Sequence, residues 1–536
     1  MKFDQVWWKN GVIYQIYPRS FKDSNNDGIG DLKGIIQKID YLADLGIDAI
    51  WLSPIYPSPD VDFGYDVANY VDVDPRYGTL EEFDTLVEVA HQYKIKIILD
   101  LVLNHTSDQH PWFIESRKSM DNPYHDWYMW HDPSPTGGAP NNWLSWFGGN
   151  GWEYDKNLGQ YYFHMFYKQQ PDLNWRNPEV RKAMLDVYRF WLDRGVDGFR
   201  MDVFNMYFKD KDLRDNPLGG KGPRKFNHQI HQYDMSQPEM HPLLQEIRQL
   251  LDAYGATYMV GETFYSTPQQ AAQYIGPDQL HAGFDFSLLS SKFSAQNFRK
   301  AINGWVDALD GKWPNFVLNN HDTSRSATRF HARKDDAQLK VSATMLLTIM
   351  GTPFLYYGEE IGMRDIFLWR HQVLDPVSRR YWPLHPPRDG CRSPMQWDVS
   401  TYAGFSEQKP WLPVHSNHDH RNVEAQLSSP GSLLNFYKKL FHMRKSHAAL
   451  NSGSMEMIDQ DNRKVLSYLR RSDEEIVLVC LNMTDQPAIL EFPPGLTQQK
   501  WTILLSQHLE NEEIITNTSL SLNSYETLVL LIKIKL

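Results

Sequence analysis

The feature that most constrains this chain is an alternation repeated eight times. A short apolar run that reads as a strand buried on both faces is followed, in most cases, by a stretch with helical spacing. The strand runs fall at residues 12–18, 47–52, 95–102, 196–199, 257–262, 282–286, 315–318 and 353–357. Between the first two, Leu32, Ile35, Ile36, Ile39 and Leu42 recur at helical intervals until Gly46 stops them. Thr79 and Glu82 form a capping box ahead of Leu80, Phe83, Leu86, Val87 and Ala90, and Asn177 with Pro178 opens a helix that reaches Gly195. Strand–helix alternation implies a parallel sheet, and eight repeats imply an α/β fold of the closed (β/α)₈ TIM-barrel type.

Two stretches break the rhythm. Residues 106–175, after the third strand, are long and rich in Trp, Pro, Gly and Asn, and read as an inserted domain. Residues 363–430 form a second irregular insertion. From residue 452 the pattern turns to short alternating strands without helices, which predicts a C-terminal antiparallel β-sandwich over 452–536. The barrel is thus expected over 1–105 and 176–451, which suits a chain of 536 residues, too long for one core.

Composition narrows the function. A net charge of −12 lacks the basic footprint of a nucleic-acid binder. No run approaches the length of an apolar membrane span, and the N-terminus lacks a signal core. Two cysteines, Cys391 and Cys480, make no disulfide framework, so a reduced cytoplasmic protein is the default; a processed secreted chain would read the same way. The aromatic content is high, 18 Trp, 28 Tyr and 26 Phe; many read as core residues, while Trp and Tyr clusters in polar loops suit a sugar-binding cleft, where flat faces match the CH face of a pyranose ring.

Catalysis on such a barrel occurs at the C-terminal ends of the strands. Those ends carry His105, Arg200, Asp202, Glu262, His321 and Asp322. Alternation puts Arg200 and Asp202 on one side of their strand. A structural ion pair explains one such pair, but explains three converging carboxylates poorly. Without a thiolate, a phosphate loop or a nicotinamide fingerprint, the set points to glycosidic chemistry, which needs one ionised and one protonated carboxyl. A zinc site on His105 and His321 is the competitor, and no HExxH pair supports it. Near the first strand, Asp23, Asn25, Asp27 and Asp31 place oxygens at positions 1, 3, 5 and 9 of a loop with Gly28 at 6. Position 12 is Gly34, so the loop is not an EF-hand, but a single-ion site fits better than a plain turn.

Four stretches then carry a family resemblance: residues 100–105 (Asp-Leu-Val-Leu-Asn-His), 198–202 (Gly-Phe-Arg-Met-Asp), Gly261 with Glu262, and Asn320-His321-Asp322. In this order they resemble the four short regions of the α-amylase superfamily, glycoside hydrolase family 13. Residues 170–174 (Gln-Pro-Asp-Leu-Asn) resemble a fifth region as it stands in the oligo-1,6-glucosidase subfamily, and the likeness spans nearly the whole chain. It implies a retaining exo-acting α-glucosidase working on short oligosaccharides or α-glucosides. Asp202 would be the nucleophile and Glu262 the acid/base, and Asp322 would bind ring hydroxyls. His105 and His321 would also bind hydroxyls, Asp62 would be a hydroxyl ligand and Tyr65 a stacking platform. Arg392 resembles the partner of Asp62, with Arg388 as the alternative. The loop resembles the family's structural Ca²⁺ or Mg²⁺ site, with Asp23, Asn25, Asp27, Ile29 and Asp31 as ligands; no organic cofactor is implied.

From the residues, Arg200 should lower the Asp202 pKa, and Glu262, with no basic neighbour in sequence, should keep its proton. Val203, directly after the nucleophile, resembles the α-1,6-preferring branch, where a branched side chain would narrow the +1 subsite. Residues 204–209 and 214–217 look more like α-1,4-acting relatives, so linkage stays open. Rival readings are a sucrose- or trehalose-type isomerase or transglucosylase of the same family, and a non-catalytic member comparable to transporter heavy chains. Oligomeric state and natural substrate are not readable.

Overall fold

The computed structural model describes residues 6–534 except 256, 333–334, 383–387, 508–512 and 516–517. The residues read above for a signal peptide, 1–5, lie outside these, as does part of the 363–430 insertion. Eight parallel strands form one sheet: β1 (Ile13–Ile16), β2 (Ala49–Leu52), β3 (Lys96–Leu101), β4 (Gly198–Met201), β5 (Tyr258–Glu262), β6 (Ala282–Phe284), β7 (Asn315–Val317) and β8 (Thr352–Tyr356). The ladder runs β7-β8-β1-β2-β3-β4-β5-β6. β6 and β7 face each other across the seam, so the sheet curls into a nearly closed barrel. All eight expected strand runs are present, because strands covered on both faces must be apolar throughout.

Two local expectations shift. The helix expected from Leu32 to Gly46 is two pieces, Leu32–Ile36 and Ile39–Leu45, broken at Gln37 and Lys38. Gly46 ends the second piece at φ 101°, a left-handed cap that suits glycine. The strand expected over 196–199 runs instead from Gly198 to Met201, so Arg200 lies inside it and Asp202 is the first residue beyond. Gly198 is required there: a Cβ would sit 2.6 Å from the Tyr258 carbonyl oxygen of the neighbouring strand. The Thr79–Glu82 capping box and the Asn177 cap with Pro178 at the first turn form as the sequence suggests.

The inserted region carries a three-stranded antiparallel sheet of Trp130–His131, Gln160–Phe163 and Trp152–Asp155. Its core of Trp143, Trp152, Phe163 and Met165 is continuous with Val203 and Met206, just after β4. The C-terminal part is a six-stranded antiparallel sheet in the order Ser454–Ile458, Val465–Arg471, Glu475–Asn482, Thr527–Lys533, Lys500–Ser506, Glu513–Ile515. Ala488–Glu491 pairs separately with Ser519–Leu522. The sheet packs against the helix Ala337–Thr348, which is buried on nearly every side. That explains its lack of an amphipathic stripe: an apolar helix covered all round needs none.

Candidate active site

The register of the barrel builds the centre of the site. Asp100 on β3 lies opposite Arg200 on β4, and Arg200 lies opposite Val260 on β5, two residues before Glu262. Side chains two apart on a strand share a face, so Arg200 looks into the same space as Asp202 and Glu262. Its Nη1 donates to Asp100 Oδ1 at 2.7 Å and to Asp202 Oδ1 at 2.6 Å, and its Nη2 donates to Glu262 Oε2. The guanidinium also lies 5.2 Å from the centre of the Trp51 ring. Trp51 Nε1 and the Tyr65 hydroxyl donate to Asp100 Oδ2 at 3.3 and 3.1 Å.

This arrangement overturns the expected electrostatics of Asp202. Burial pushes its carboxyl well above the usual range; Glu262 and Asp100 push the same way, and Arg200 only partly offsets them. Burial likewise raises Glu262, and raises Asp100 to about 6. The sequence places Arg200 beside Asp202 alone, whereas the fold gives it three carboxylates. One positive charge cannot hold three negative ones in a dry site. The three titrate as a coupled unit whose carboxyls are all shifted upward.

The far side of the pocket is built from the loop after β2, the end of β7 and the 363–430 insertion. Asp322 side-chain oxygen Oδ1 accepts from Arg392 Nη2 at 2.7 Å and from Arg388 Nη1 at 3.2 Å. Burial would raise Asp322, but His321 and the two arginines hold it well below the usual carboxylate range. Its side chain is 41% exposed, on the open side of the pocket. The expected Asp62–Arg392 pair is not the one that forms. Arg388 Nη2 bonds Asp62 Oδ1 at 2.8 Å, while Arg392 turns to Asp322 and to the His321 carbonyl oxygen. Both arginines leave one short 3₁₀ turn, Arg388–Arg392, and Asp375 decides between them: it binds Arg388 through two bonds of 2.9 and 3.1 Å and aims it at Asp62.

Tyr65 stacks on His321, with ring centroids 5.2 Å apart and planes at 4°, and its hydroxyl meets His321 Nε2 at 2.7 Å. Gln15 bonds the other ring nitrogen at 2.8 Å. Burial lowers His321 to about 3 and His105 to about 4, so both are neutral rings. His105 contacts the Tyr65 carbonyl oxygen and Gln170, and Gln170 also reaches Asp62. Val203 is buried at φ 34°, ψ 39°, among Phe147, Phe166 and Met206. The sequence reading did not single out Asp100, Gln170, Asp375 or Gln15. Gln170 and Asp100 sat inside recognised motifs and could have been found; Gln15 and Asp375 carried no signal.

In the loop after β1, Asp23 accepts from the backbone N–H of Asn25, Asn26 and Gly28, and Asn25 and Asp27 accept from Asp27 and Ile29. Asp31 accepts from Ser24 and caps the helix at Gly34. Ile29 has only its backbone carbonyl to offer. The donors are hard oxygens of the kind Ca²⁺ and Mg²⁺ take, so the set fits in kind. Among the described residues no three His, Cys, Asp or Glu side chains gather as a metal cluster, which also leaves the zinc alternative without support there.

Residues 15–453 match the model of the α-amylase catalytic domain, and residues 455–529 match that of the maltogenic amylase C-terminal domain. The chain belongs to the α-amylase family, glycoside hydrolase family 13. Within the family it is 43% identical to a probable α-glucosidase of Rhizobium meliloti, covering 91% of this chain and 92% of that one. It is 42% identical to an oligo-1,6-glucosidase of Parageobacillus thermoglucosidasius, covering 94% and 95%. The crystal structure of an α-glucosyl transfer enzyme superposes with a TM-score of 0.92 at 39% identity, covering 98% of this chain and 99% of that one. The three carboxylates at the ends of β4, β5 and β7 lie within the stretch that matches the catalytic domain.

Proposed function

We propose that this protein is a retaining exo-acting α-glucosidase that removes single terminal glucose units from short oligosaccharides or α-glucosides through a covalent glucosyl ester on Asp202. The observation that carries the reading is the Arg200 bridge. Asp202 and Glu262 touch one guanidinium, so their carboxyls stand no further apart than its span allows. That favours the close spacing of a retaining pair over the wider gap that holds a water. In the first step Asp202 forms a bond to the anomeric carbon as the glycosidic C–O bond breaks, and the Glu262 proton goes to the leaving oxygen. In the second, Glu262 takes a proton from water, the water oxygen bonds the anomeric carbon, and Asp202 leaves as carboxylate. Arg200 favours the ionised Asp202 that attacks in the first step and the Glu262 carboxylate that takes the proton in the second. Exo-action follows from the Asp62–Arg388–Asp322 bridge, which walls off the end of the pocket. Asp202→Asn should cut turnover of an aryl α-glucoside by at least about a thousandfold; wild-type turnover in that variant would end the proposal.

A second reading, glucosyl transfer, is favoured by the likeness to the α-glucosyl transfer enzyme. Product analysis at high sugar separates the two: new glucosides for transfer, free glucose for hydrolysis.

We also propose that Asp23, Asn25, Asp27, Ile29 and Asp31 hold a structural Ca²⁺ or Mg²⁺. When bound, the ion would neutralise the loop's carboxylates and stiffen it; it takes no part in the chemistry. The loop rests on residues 409–411, and the adjoining Ser20 accepts from Trp411 and donates to the Arg392 carbonyl oxygen, so its order reaches the pocket wall. Elemental analysis should find one divalent cation per chain, and EDTA should lower Tm by a few degrees, recovered on adding Ca²⁺. A metal-free chain with unchanged Tm would sink this assignment.

A further inference from the structure

A cavity of about 880 Å³ lies between the inserted region and the loops beyond β4 and β8. Three segments wall it: residues 141–150 of the inserted region, residues 223–226, and Arg380 with Tyr381 from the 363–430 insertion. Its floor is the back of an aromatic cluster. Trp146 packs edge-on against Phe226 and Phe264 at 5.2 and 4.9 Å, and Phe264 is two residues beyond Glu262. The same cluster contains Val203, Phe147 and Phe166: Phe166 lies against the His105 ring at 5.3 Å, and Phe147 against the Arg388 guanidinium at 5.5 Å. Trp146, which lines the cavity, is thus one ring away from Phe264, just beyond the strand that carries Glu262.

Its charge is opposite to that of the molecule. The chain carries −12, yet the lining contains Arg224, Lys225 and Arg380 and no carboxylate. Among the described residues none of these three cations is held in an ion pair. Arg224 lies over the Trp146 ring at 4.8 Å with its Nη1 3.5 Å from the Trp146 carbonyl oxygen, and Arg380 lies over Tyr381 at 5.6 Å; the other guanidinium N–H groups of Arg224 are left for an acceptor. Asp215, which accepts from the Asn142 backbone at 2.9 Å, is not among the lining residues. Cations gathered without counter-charges in a concave apolar site are the signature of an anion-binding pocket. The aromatic floor adds a requirement for a flat or pyranose ring. The volume admits a ring with a substituent and falls within the range of small-molecule sites.

We infer that this cavity is an anion-recognising leaving-group and acceptor site, and that the preferred substrates are α-glucosides whose aglycone ring bears a carboxylate or a phosphate. The inference rests on the α-glucosidase reading and sharpens it. The ring stacks on Trp146 and Phe226 while Arg224, Lys225 and Arg380 take the charge.

The test compares matched substrates on the intact enzyme. The first pair is 4-carboxyphenyl α-glucoside against the neutral 4-carbamoylphenyl α-glucoside, equal in shape. The second is isomaltose phosphorylated on its reducing-end sugar against isomaltose. The quantity read is the ratio of kcat/KM for the anionic member to that for the neutral one, so a general loss of activity cancels. Wild type should favour the anionic member by about tenfold or more in at least one pair, mainly through KM, with the ratio falling as salt rises. Arg224→Gln with Arg380→Gln should bring the ratio close to one, and Arg224→Lys should restore part of it. The pair that responds identifies carboxylate or phosphate as the natural charge. A wild-type ratio at or below one in both pairs, or a ratio unmoved by the double substitution, overturns the inference. Failure to cleave any of the four overturns the underlying α-glucosidase reading instead.

Discussion

At the scale of single residues, the site shows how position and environment divide the work of inference. Asp202, Glu262 and Asp322 stood out in the sequence because apolar strands that end in carboxylates need a reason. Their protonation was not legible, because it depends on Asp100 and on the shared Arg200, neighbours across the sheet and not along the chain. The Asp62 partner was misread for a similar reason. Arg388 and Arg392 are equivalent in spacing and type, and only Asp375 in the fold tells them apart. Val203 adds something the sequence hinted at without its cause. A β-branched residue at φ 34° is costly, of order 1–3 kcal/mol, and persists only where its surroundings hold it. Here Val203 is buried in one apolar cluster with Phe147, Phe166 and Met206. Val203→Thr keeps the branch but replaces a methyl with a hydroxyl. It should raise the rate on maltose relative to isomaltose by several-fold, the size expected from one methyl in a tight pocket. An unchanged ratio in competition assays would remove Val203 from the specificity of the enzyme.

At the scale of elements, the barrel was readable because each buried strand is uniformly apolar, while the strand ends drifted by about two residues, as at β4, where hydrogen bonding rather than hydrophobicity sets the boundary. The inserted region was recognisable as an interruption, but its attachment was not. Asp172 and Lys209, both fully buried, form an ion pair beneath it, and Asn104 bridges them: Lys209 donates to its Oδ1 at 2.9 Å, and its Nδ2 donates to Asp172 at 3.0 Å. Nothing in a lysine at position 209 announces a partner 37 residues earlier. Removing one member leaves a bare charge in the interior. Lys209→Met should therefore cost about 3–5 kcal/mol in urea unfolding, and Lys209→Met with Asp172→Asn should recover much of it. A single variant within about 0.5 kcal/mol of wild type would show that the pair does not anchor the insertion.

At the scale of the whole molecule, the C-terminal sheet is bound to the barrel by arginines that bond carbonyl oxygens. Arg470 of the sheet donates to Thr348 of the barrel at 2.5 Å, and Arg299 of the barrel donates to Val465 of the sheet at 2.7 Å. Together with Arg444, which donates to Leu347 at 2.9 Å from within the barrel, Arg470 satisfies the end of the helix Ala337–Thr348, which otherwise has open carbonyls in an apolar setting. Arg470→Met should thus lower Tm by several degrees and reduce activity only as the fold is lost; a drop in kcat at full stability would mean that the sheet acts on the site directly. The Asp62–Arg388 bridge spans 326 residues of sequence. Chains emerge from the ribosome at about 5–20 residues per second and fold from the N-terminus, so the pocket stays unwalled until most of the protein has been made. The nascent chain holds Asp202 and Glu262 well before it holds Arg388. Under the exo-acting reading, a late part of the catalytic domain is the one that limits what the earlier part can cut.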